Sequence, residues 1–133
     1  ENGFKVVFLD LDISRLTGIS NKAAIQIIQH NLEDGSSWPF APEMFDAVVV
    51  TNYLHRPIFN KLISLISCDG LLIYETFGSG NGHFGRPSNP DFLAKPGEIA
   101  EIARDLGFWL VADDFLEVTE PTPAIKTRVV AIG

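Results

Sequence analysis

The sequence contains one cysteine, Cys68, among 133 residues. One thiol cannot form an internal disulfide, and it cannot supply the paired thiolates of a CxxC zinc site. No apolar run reaches the roughly 18 residues that a membrane-spanning helix requires, and no leading basic and apolar stretch resembles a signal peptide. We therefore expect no membrane partner and a location in the reducing cytoplasm.

Basic residues are also scarce. There are 10 Lys and Arg residues against 17 Asp and Glu residues, which gives a net charge of −7. Because the binding of nucleic-acid phosphates requires a basic surface, we expect no nucleic-acid partner. Spacings typical of metal ligands are missing from the His, Asp and Glu residues, so we expect no metal. With 46% hydrophobic residues, the composition is that of a globular domain, and the length allows a single domain over residues 1–133.

Short apolar runs rich in β-branched residues alternate with helical patterns. The runs predict strands at 4–9, 24–29, 47–51 and 71–77. Apolar residues at helical spacing predict helices at 57–66 and 97–106, the first beginning near Pro57 and ending in a turn at Asp69-Gly70. The last two segments, 108–118 and 125–132, predict an antiparallel hairpin. This order favours an α/β fold, with a mainly parallel sheet, helices on both faces and a C-terminal hairpin.

Ligands of such sheets bind beyond the carboxyl ends of the strands. The segments to consider are therefore 10–12, 31–34, 52–55 and 75–78, which directly follow the predicted strands. A further segment, 79–96, predicts a long loop with three prolines. Loops of that length in compact domains often serve a function, and a mobile lid over a substrate is our interpretation.

Three stretches carry a resemblance to a known family: FDAVVVTNYLHRP (45–57), GLLIYETF (70–77) and FGRPSNPDFLAKPGE (84–98). They resemble the class I S-adenosylmethionine-dependent methyltransferases of the small-molecule type, over nearly the whole chain from Val6 onward. The resemblance implies a Rossmann-like fold, S-adenosylmethionine as the cofactor, and methyl transfer to a small-molecule acceptor.

The resemblance also implies which residues hold the cofactor. Asp10, followed by Leu11, matches the acid that binds both ribose hydroxyls, and a carboxylate suits this role because it accepts two charge-assisted hydrogen bonds at once. Asn31 and Leu32 match the loop that contacts the adenine. An Asp is more usual at the position of Asn31, but the amide oxygen still accepts a hydrogen bond.

Further residues match the reactive end of the family's site. Asn52 and Tyr53 would lie beside the methionine moiety and the transferred methyl group. His55 is the candidate for proton removal, since histidine is the side chain that most often acts as a general base. Phe84 and Arg86 would lie on the lid, where Arg86 could meet an acidic group of the substrate.

The sequence departs from the family at one point. The family's first strand and its glycine-rich loop normally precede the strand that ends at Asp10, and this sequence does not contain them. We therefore expect an N-terminally incomplete domain that binds the cofactor very weakly or not at all. Exposed strand edges would also favour a homo-oligomer.

Two other classes of protein fit parts of the sequence. VVFLDLDIS resembles the first motif of haloacid-dehalogenase-like phosphohydrolases, with Asp10 as nucleophile and Asp12 as general acid. Thr51 would then bind phosphate, and Asp113 and Asp114 would bind magnesium, although those two acids fall inside a strand pattern. A non-catalytic α/β interaction module is the other alternative, because a fold does not determine a function.

Overall fold

A computed structural model of the protein describes residues 3–19 and 22–133. The chain divides into two compact units, 1–38 and 39–133. The prediction of a single domain over 1–133 stays a prediction. Within the described residues, no helix combines the length and apolar character needed to cross a membrane.

The first unit is built on two parallel strands. These are β1 (Val6–Asp10) and β2 (Ile25–Gln29), and a 3-10 helix at Ser14–Ile19 lies between them in the chain. Asp10 pairs with Gln29 in the parallel register, so both strands end at the same level. The residues that follow the two strands are thereby brought side by side.

The second unit contains a four-stranded sheet and two α-helices. Its strands are β3 (Phe45–Thr51), β4 (Ile66–Phe77), β5 (Trp109–Val118) and β6 (Ala124–Ile132). Its helices are α1 (Phe59–Ile63) and α2 (Glu98–Asp105), with 3-10 turns at Arg56–Ile58, Asn81–His83 and Pro90–Phe92. The strand order is β3-β4-β6-β5.

One face of this sheet forms the core of the second unit. Alternate residues of β4 point into it, among them the fully buried Leu72 and Tyr74. Tyr74 pairs with the buried Val129 of β6 and stacks on Phe59 of α1, with the ring centroids 5.5 Å apart. Helix α2 also buries an apolar face and packs against β5 and β6. Burial of these large side chains is the main stabilising contribution.

The predicted elements are present, but the first predicted helix differs from expectation. It divides into the 3-10 turn at Arg56–Ile58 and the short α1. Asp69 and Gly70, predicted as the turn that ends the helix, lie instead within β4. The pairing with β3 shifts there, because several extra residues of β4 bulge between Phe45↔Ile66 and Ala47↔Leu71. A Cβ on Gly70 would lie 2.6 Å from the Ile66 side chain, so the bulge requires glycine there.

A mainly parallel sheet with helices on both faces is not confirmed. β1 pairs with β2 and β3 pairs with β4 in parallel, as expected. However, β6 is inserted between β4 and β5 and is antiparallel to both, which makes the larger sheet mixed. The predicted C-terminal hairpin causes this difference, because its second strand returns to the middle of the sheet.

Candidate functional site

The first group of predicted site residues follows β1 and β2. The Asp10 side chain is exposed, and its Oδ1 accepts a hydrogen bond of 3.2 Å from the backbone N–H of Asp12. The backbone oxygen of Leu11 accepts from Nε2 of Gln29 at 2.9 Å, and that of Asp10 accepts from the N–H of His30 at 3.1 Å. Asp10 and Leu11 are therefore held next to the segment that contains Asn31.

Side chains of this first group bind their own backbone two residues onward. Oδ1 of Asn31 accepts from the N–H of Glu33 at 2.9 Å, and Oδ1 of Asp12 accepts from Ser14 at 2.9 Å. The Ser14 hydrogen bonds lower the pKa of Asp12. Because the Asn31 oxygen already serves this turn, an adenine amino group would have to use its second lone pair.

His30 lies between β2 and Asn31, and its side chain is half-buried. Among the described residues, its Nε2 is buried without a hydrogen-bond partner. An unsatisfied buried ring nitrogen is unfavourable, so a ligand or water molecule that reached it would stabilise this loop. Leu32, two residues after His30, is half-buried, which leaves part of its apolar surface available for contact.

The second group of predicted site residues follows β3. Asn52 takes a left-handed backbone conformation, with φ of +52°, which asparagine adopts more readily than most residues. Its N–H donates to the backbone oxygen of Glu75 at 2.8 Å and so fixes the chain as it leaves the sheet. His55 lies three residues on and is half-buried at the start of the 3-10 turn.

The buried side chain of Tyr74 fixes the backbone of this second segment. Its hydroxyl donates a hydrogen bond of 2.5 Å to the backbone oxygen of Tyr53. Burial raises the pKa of Tyr74, so the hydroxyl keeps its proton and remains a donor. The predicted residues Asn52, Tyr53 and His55 are therefore positioned by the core of the second unit.

Lys126 is a functional candidate that the sequence did not reveal. It lies opposite Phe77 in the β4–β6 pairing, and its Nζ lies 3.7 Å from the centroid of that ring. The same Nζ donates to Oδ1 of Asn52 at 2.5 Å and lies 4.0 Å from a carboxylate oxygen of Glu75. Glu75 also forms an ion pair with Arg128. Only the hairpin register places Lys126 beside Asn52, 74 positions away in the sequence.

Arg56 is a second residue that sequence reasoning missed. Its guanidinium forms two hydrogen bonds with the carboxylate of Glu98, at 2.6 and 2.8 Å, and donates to the backbone oxygens of Asp91 and Leu93. Glu98 also accepts from the N–H of Lys95 at the start of α2. Arg56 therefore joins the segment after β3 to the end of the long loop, and its planar fork suits such contacts.

The long loop, interpreted from the sequence as a mobile lid, is anchored by a buried asparagine. Asn81 is 2% exposed, and it donates to the backbone oxygen of Pro87 and accepts from the N–H of Ile125. Phe84 and Arg86 lie between these anchors and are exposed. Phe84 also makes an edge contact with the ring of His83. The two predicted substrate residues are therefore on a tethered segment of the second unit.

The acidic residues proposed as magnesium ligands lie away from the strand ends. Over residues 3–19 and 22–133, no three side chains of His, Cys, Asp or Glu lie close enough together to hold a metal ion. Asp113 and Asp114, proposed as magnesium ligands of a phosphohydrolase, lie in the middle of β5 and not at a strand end. They pair with Val129 and Arg128 of β6.

Comparisons with known proteins agree on the fold. No family model matches the sequence, and no curated protein matches it. Solved structures do match. A methyltransferase from Burkholderia thailandensis, solved with 1,6-didemethyltoxoflavin and S-adenosylhomocysteine, has a TM-score of 0.69 at 14% identity and aligns over 96% of this chain and 60% of its own.

Two other matches are similar in extent. TehB from Haemophilus influenzae has a TM-score of 0.73 at 15% identity, covering 98% of this chain and 50% of its own. The N-methyltransferase NodS from Bradyrhizobium japonicum has a TM-score of 0.68 at 12% identity, covering 97% and 73%. The chain thus spans between half and three quarters of these three proteins and has the fold of S-adenosylmethionine-dependent methyltransferases.

Proposed function

We propose that this chain takes part in S-adenosylmethionine-dependent methyl transfer to a small-molecule acceptor. The observation that carries the proposal is the exposed carboxylate of Asp10 at the carboxyl end of β1, in a chain with the methyltransferase fold. Ligands of such sheets bind at that end of the strands. The bound S-adenosylhomocysteine of the Burkholderia enzyme supports the choice of cofactor.

The donor and acceptor set of the first unit fits a nucleoside. Asp10 offers a carboxylate to two neighbouring hydroxyls, which is the strongest arrangement for holding a ribose. Asn31 keeps its amide N–H groups and a second lone pair for the adenine edge. Leu11 is 62% exposed, and Leu32 is half-buried, so both offer apolar surface to a base or sugar.

The second unit would act at the reactive end. When bound, S-adenosylmethionine supplies a methyl group already activated on a sulfonium. Asn52 and Tyr53 orient that end and exclude water, while His55 accepts the proton of the acceptor nucleophile. Most of the rate would come from alignment, because the chemistry needs little more than correct geometry.

Phe84 and Arg86 would recognise the acceptor. Both are exposed on the tethered loop, where an aromatic ring can cover an apolar part of a small molecule and a guanidinium can bind a carboxylate. The small-molecule substrate in the Burkholderia structure supports an acceptor of this size. We therefore propose a small, acidic methyl acceptor.

The cofactor assignment is tested by titrating S-adenosylhomocysteine into the isotopically labelled chain and following NMR shifts. Because the contacts of the first unit are exposed, we expect weak, saturable binding in about the millimolar range. Asp10→Ala should weaken it by about 1.5–3 kcal/mol, the contribution of a charged hydrogen bond, and would leave no saturable response.

The matched control is the neighbouring carboxylate. Asp12→Asn removes one exposed negative charge but retains the side-chain oxygen that binds Ser14. It should bind the ligand as the unchanged protein does, and Asp10→Asn should not. Equal binding by the two variants would refute the ribose role of Asp10.

We also propose that copies of the chain associate through a strand edge. In the four-stranded sheet, β3 and β5 are the terminal strands. β5 carries three exposed carboxylates, on Asp113, Asp114 and Glu117, which disfavour pairing with a second copy. β3 exposes 61% of Val49, and β5 exposes 78% of Trp109 and 59% of Val111. We propose the β3 edge because β3 carries one acidic side chain, Asp46, against three on β5. A monomer in sedimentation at high protein concentration would contradict this proposal.

The expected absence of nucleic-acid partners and the cytoplasmic location stay predictions. The phosphohydrolase is the weaker alternative, because its proposed magnesium ligands lie in mid-strand. The non-catalytic module would be favoured if the labelled chain gave no shifts with S-adenosylhomocysteine.

A further inference from the structure

Lys126 is unusually enclosed for a lysine. Its side chain is 11% exposed, and its stem runs from β6 toward the carboxyl end of β3. The ammonium lies against the Phe77 ring and near Glu75, and both neighbours favour its charged form. Burial of such a side chain costs solvation and conformational entropy, so its contacts must hold it firmly in one place.

The contact with Asn52 has a defined direction. A lysine ammonium carries three donors and no acceptor, so the atom of the Asn52 amide that faces it must be the oxygen. The amide Nδ2 then faces away from Lys126, on a side chain that is exposed. The carboxyl end of β3 consequently presents two N–H donors to a ligand rather than an acceptor.

We infer that Lys126 is a positioning residue that holds the Asn52 amide with its NH2 group toward the ligand, so that this part of the site selects a hydrogen-bond acceptor such as a carboxylate oxygen. The inference rests on the proposed function for the identity of the ligand. The carboxylate of Glu75 is shared between Lys126 and Arg128, so it holds the ammonium of Lys126 near Asn52 without being its exclusive partner.

The orientation of the amide is measured directly by NMR on the unchanged protein. With the oxygen facing Lys126, the Nδ2 protons of Asn52 should give no strong Overhauser effect to the Lys126 Hε protons. A strong effect would place the NH2 group against the lysine and overturn the inference. This measurement needs neither a variant nor a ligand.

Variants then test the role of the lysine. Lys126→Met should move the Asn52 side-chain amide signals, and Lys126→Arg should restore most of the difference because it keeps a cationic donor. Arg128→Met is the matched control, since it removes a neighbouring cation that binds Glu75 and not Asn52. Unmoved Asn52 signals in a folded Lys126→Met protein would contradict the inference.

A ligand titration tests the selection of an acceptor. Asn52→Asp keeps an oxygen for Lys126 but removes both donors, and it should weaken S-adenosylhomocysteine binding by about tenfold. Equal or tighter binding by Asn52→Asp would overturn the inference. If the unchanged protein does not bind the ligand at all, the proposed function fails, while the amide orientation is still decided by the Overhauser measurement.

Discussion

The carboxyl ends of β1 and β2 differ from the carboxyl end of β3 in how their site residues are held. In the first unit, Asn31 and Asp12 bind backbone N–H groups two residues away. In the second unit, Asn52 and Tyr53 are bound by Lys126 and Tyr74, which are distant in the sequence. The first group of predicted site residues is thus held by local turns, whereas the second group depends on the core of its unit.

This difference predicts which group of predicted site residues responds to changes in packing. Local turns form from the residues that define them and tolerate changes elsewhere. A segment fixed by distant partners moves when those partners are removed, even if its own residues are unchanged. Variants of the distant partners should therefore alter the second group of site residues and leave the first group as it was.

The largest effect is expected at Tyr74. Tyr74→Ala removes a fully buried ring that stacks on Phe59, and it should lower the free energy of unfolding by about 3–5 kcal/mol. Tyr74→Phe keeps the ring and removes only the hydroxyl, at a cost of about 1–2 kcal/mol. Urea unfolding measures both values.

Tyr74→Phe should also affect the two groups of predicted site residues differently. It leaves the backbone oxygen of Tyr53 without its donor, so the amide signals of residues 52–55 should shift in NMR spectra. The signals of residues 10–12 and 31–34 should stay unchanged. A variant that shifted both groups equally would show that the two strand ends are not held independently.

A smaller effect is expected at Arg56. Arg56→Ala breaks two hydrogen bonds to Glu98 and two to backbone oxygens. Because the guanidinium is partly exposed and screened by solvent, we expect a loss of about 1 kcal/mol in the free energy of unfolding. Arg56→Lys should recover little of it, since an ammonium cannot reproduce the planar fork. Full recovery of the free energy of unfolding in Arg56→Lys would show that the contact depends on charge alone and not on the planar fork.

The partner of Arg56 predicts a pH dependence. Hydrogen bonds from Arg56 lower the pKa of Glu98 in the folded protein below its ordinary value of 4.5. The carboxylate therefore stabilises the folded state above about pH 4.5. This contribution is lost as the pH falls through the lowered pKa. Glu98→Gln should flatten the stability profile in that range, measured by urea unfolding at successive pH values, and an unchanged profile would contradict the assignment.

The smallest effect is expected at Asn31. Asn31→Ala removes an exposed turn contact, so the free energy of unfolding should change by about 0.5 kcal/mol or less. The same variant should still weaken S-adenosylhomocysteine binding if the amide contacts the adenine. A loss of stability as large as that of Tyr74→Phe would show that the first group is held by more than its local turns.

The sequence predicted much of the fold because the signals for its strands are local. Residues 47–51 and 108–118 have the apolar and β-branched character of strands, and the structure confirms both. The bulge at Asp69 and Gly70 was missed because an Asp-Gly pair is typical of a turn, and only the pairing with β3 identifies it as part of a strand. The antiparallel C-terminal hairpin was predicted, and its insertion into the sheet is what makes the larger sheet mixed.

The positions of the candidate residues were predictable to a similar extent, while their roles stay predictions. Asp10, Asn31 and Asn52 each follow a strand, and the structure places them at strand ends. The residues that hold the second group lie far away in the sequence, as Lys126 does from Asn52. No local pattern could pair them, because the contact exists only once β6 is inserted beside β4.

The most direct test of the central claim is an NMR titration of the labelled chain with S-adenosylhomocysteine, followed at every backbone amide. If the carboxylate of Asp10 binds the ribose of the ligand, the signals of residues 10–12 and 31–34 should shift along a single saturation curve. Unmoved signals at these residues, or no saturable shifts at all, would contradict the account.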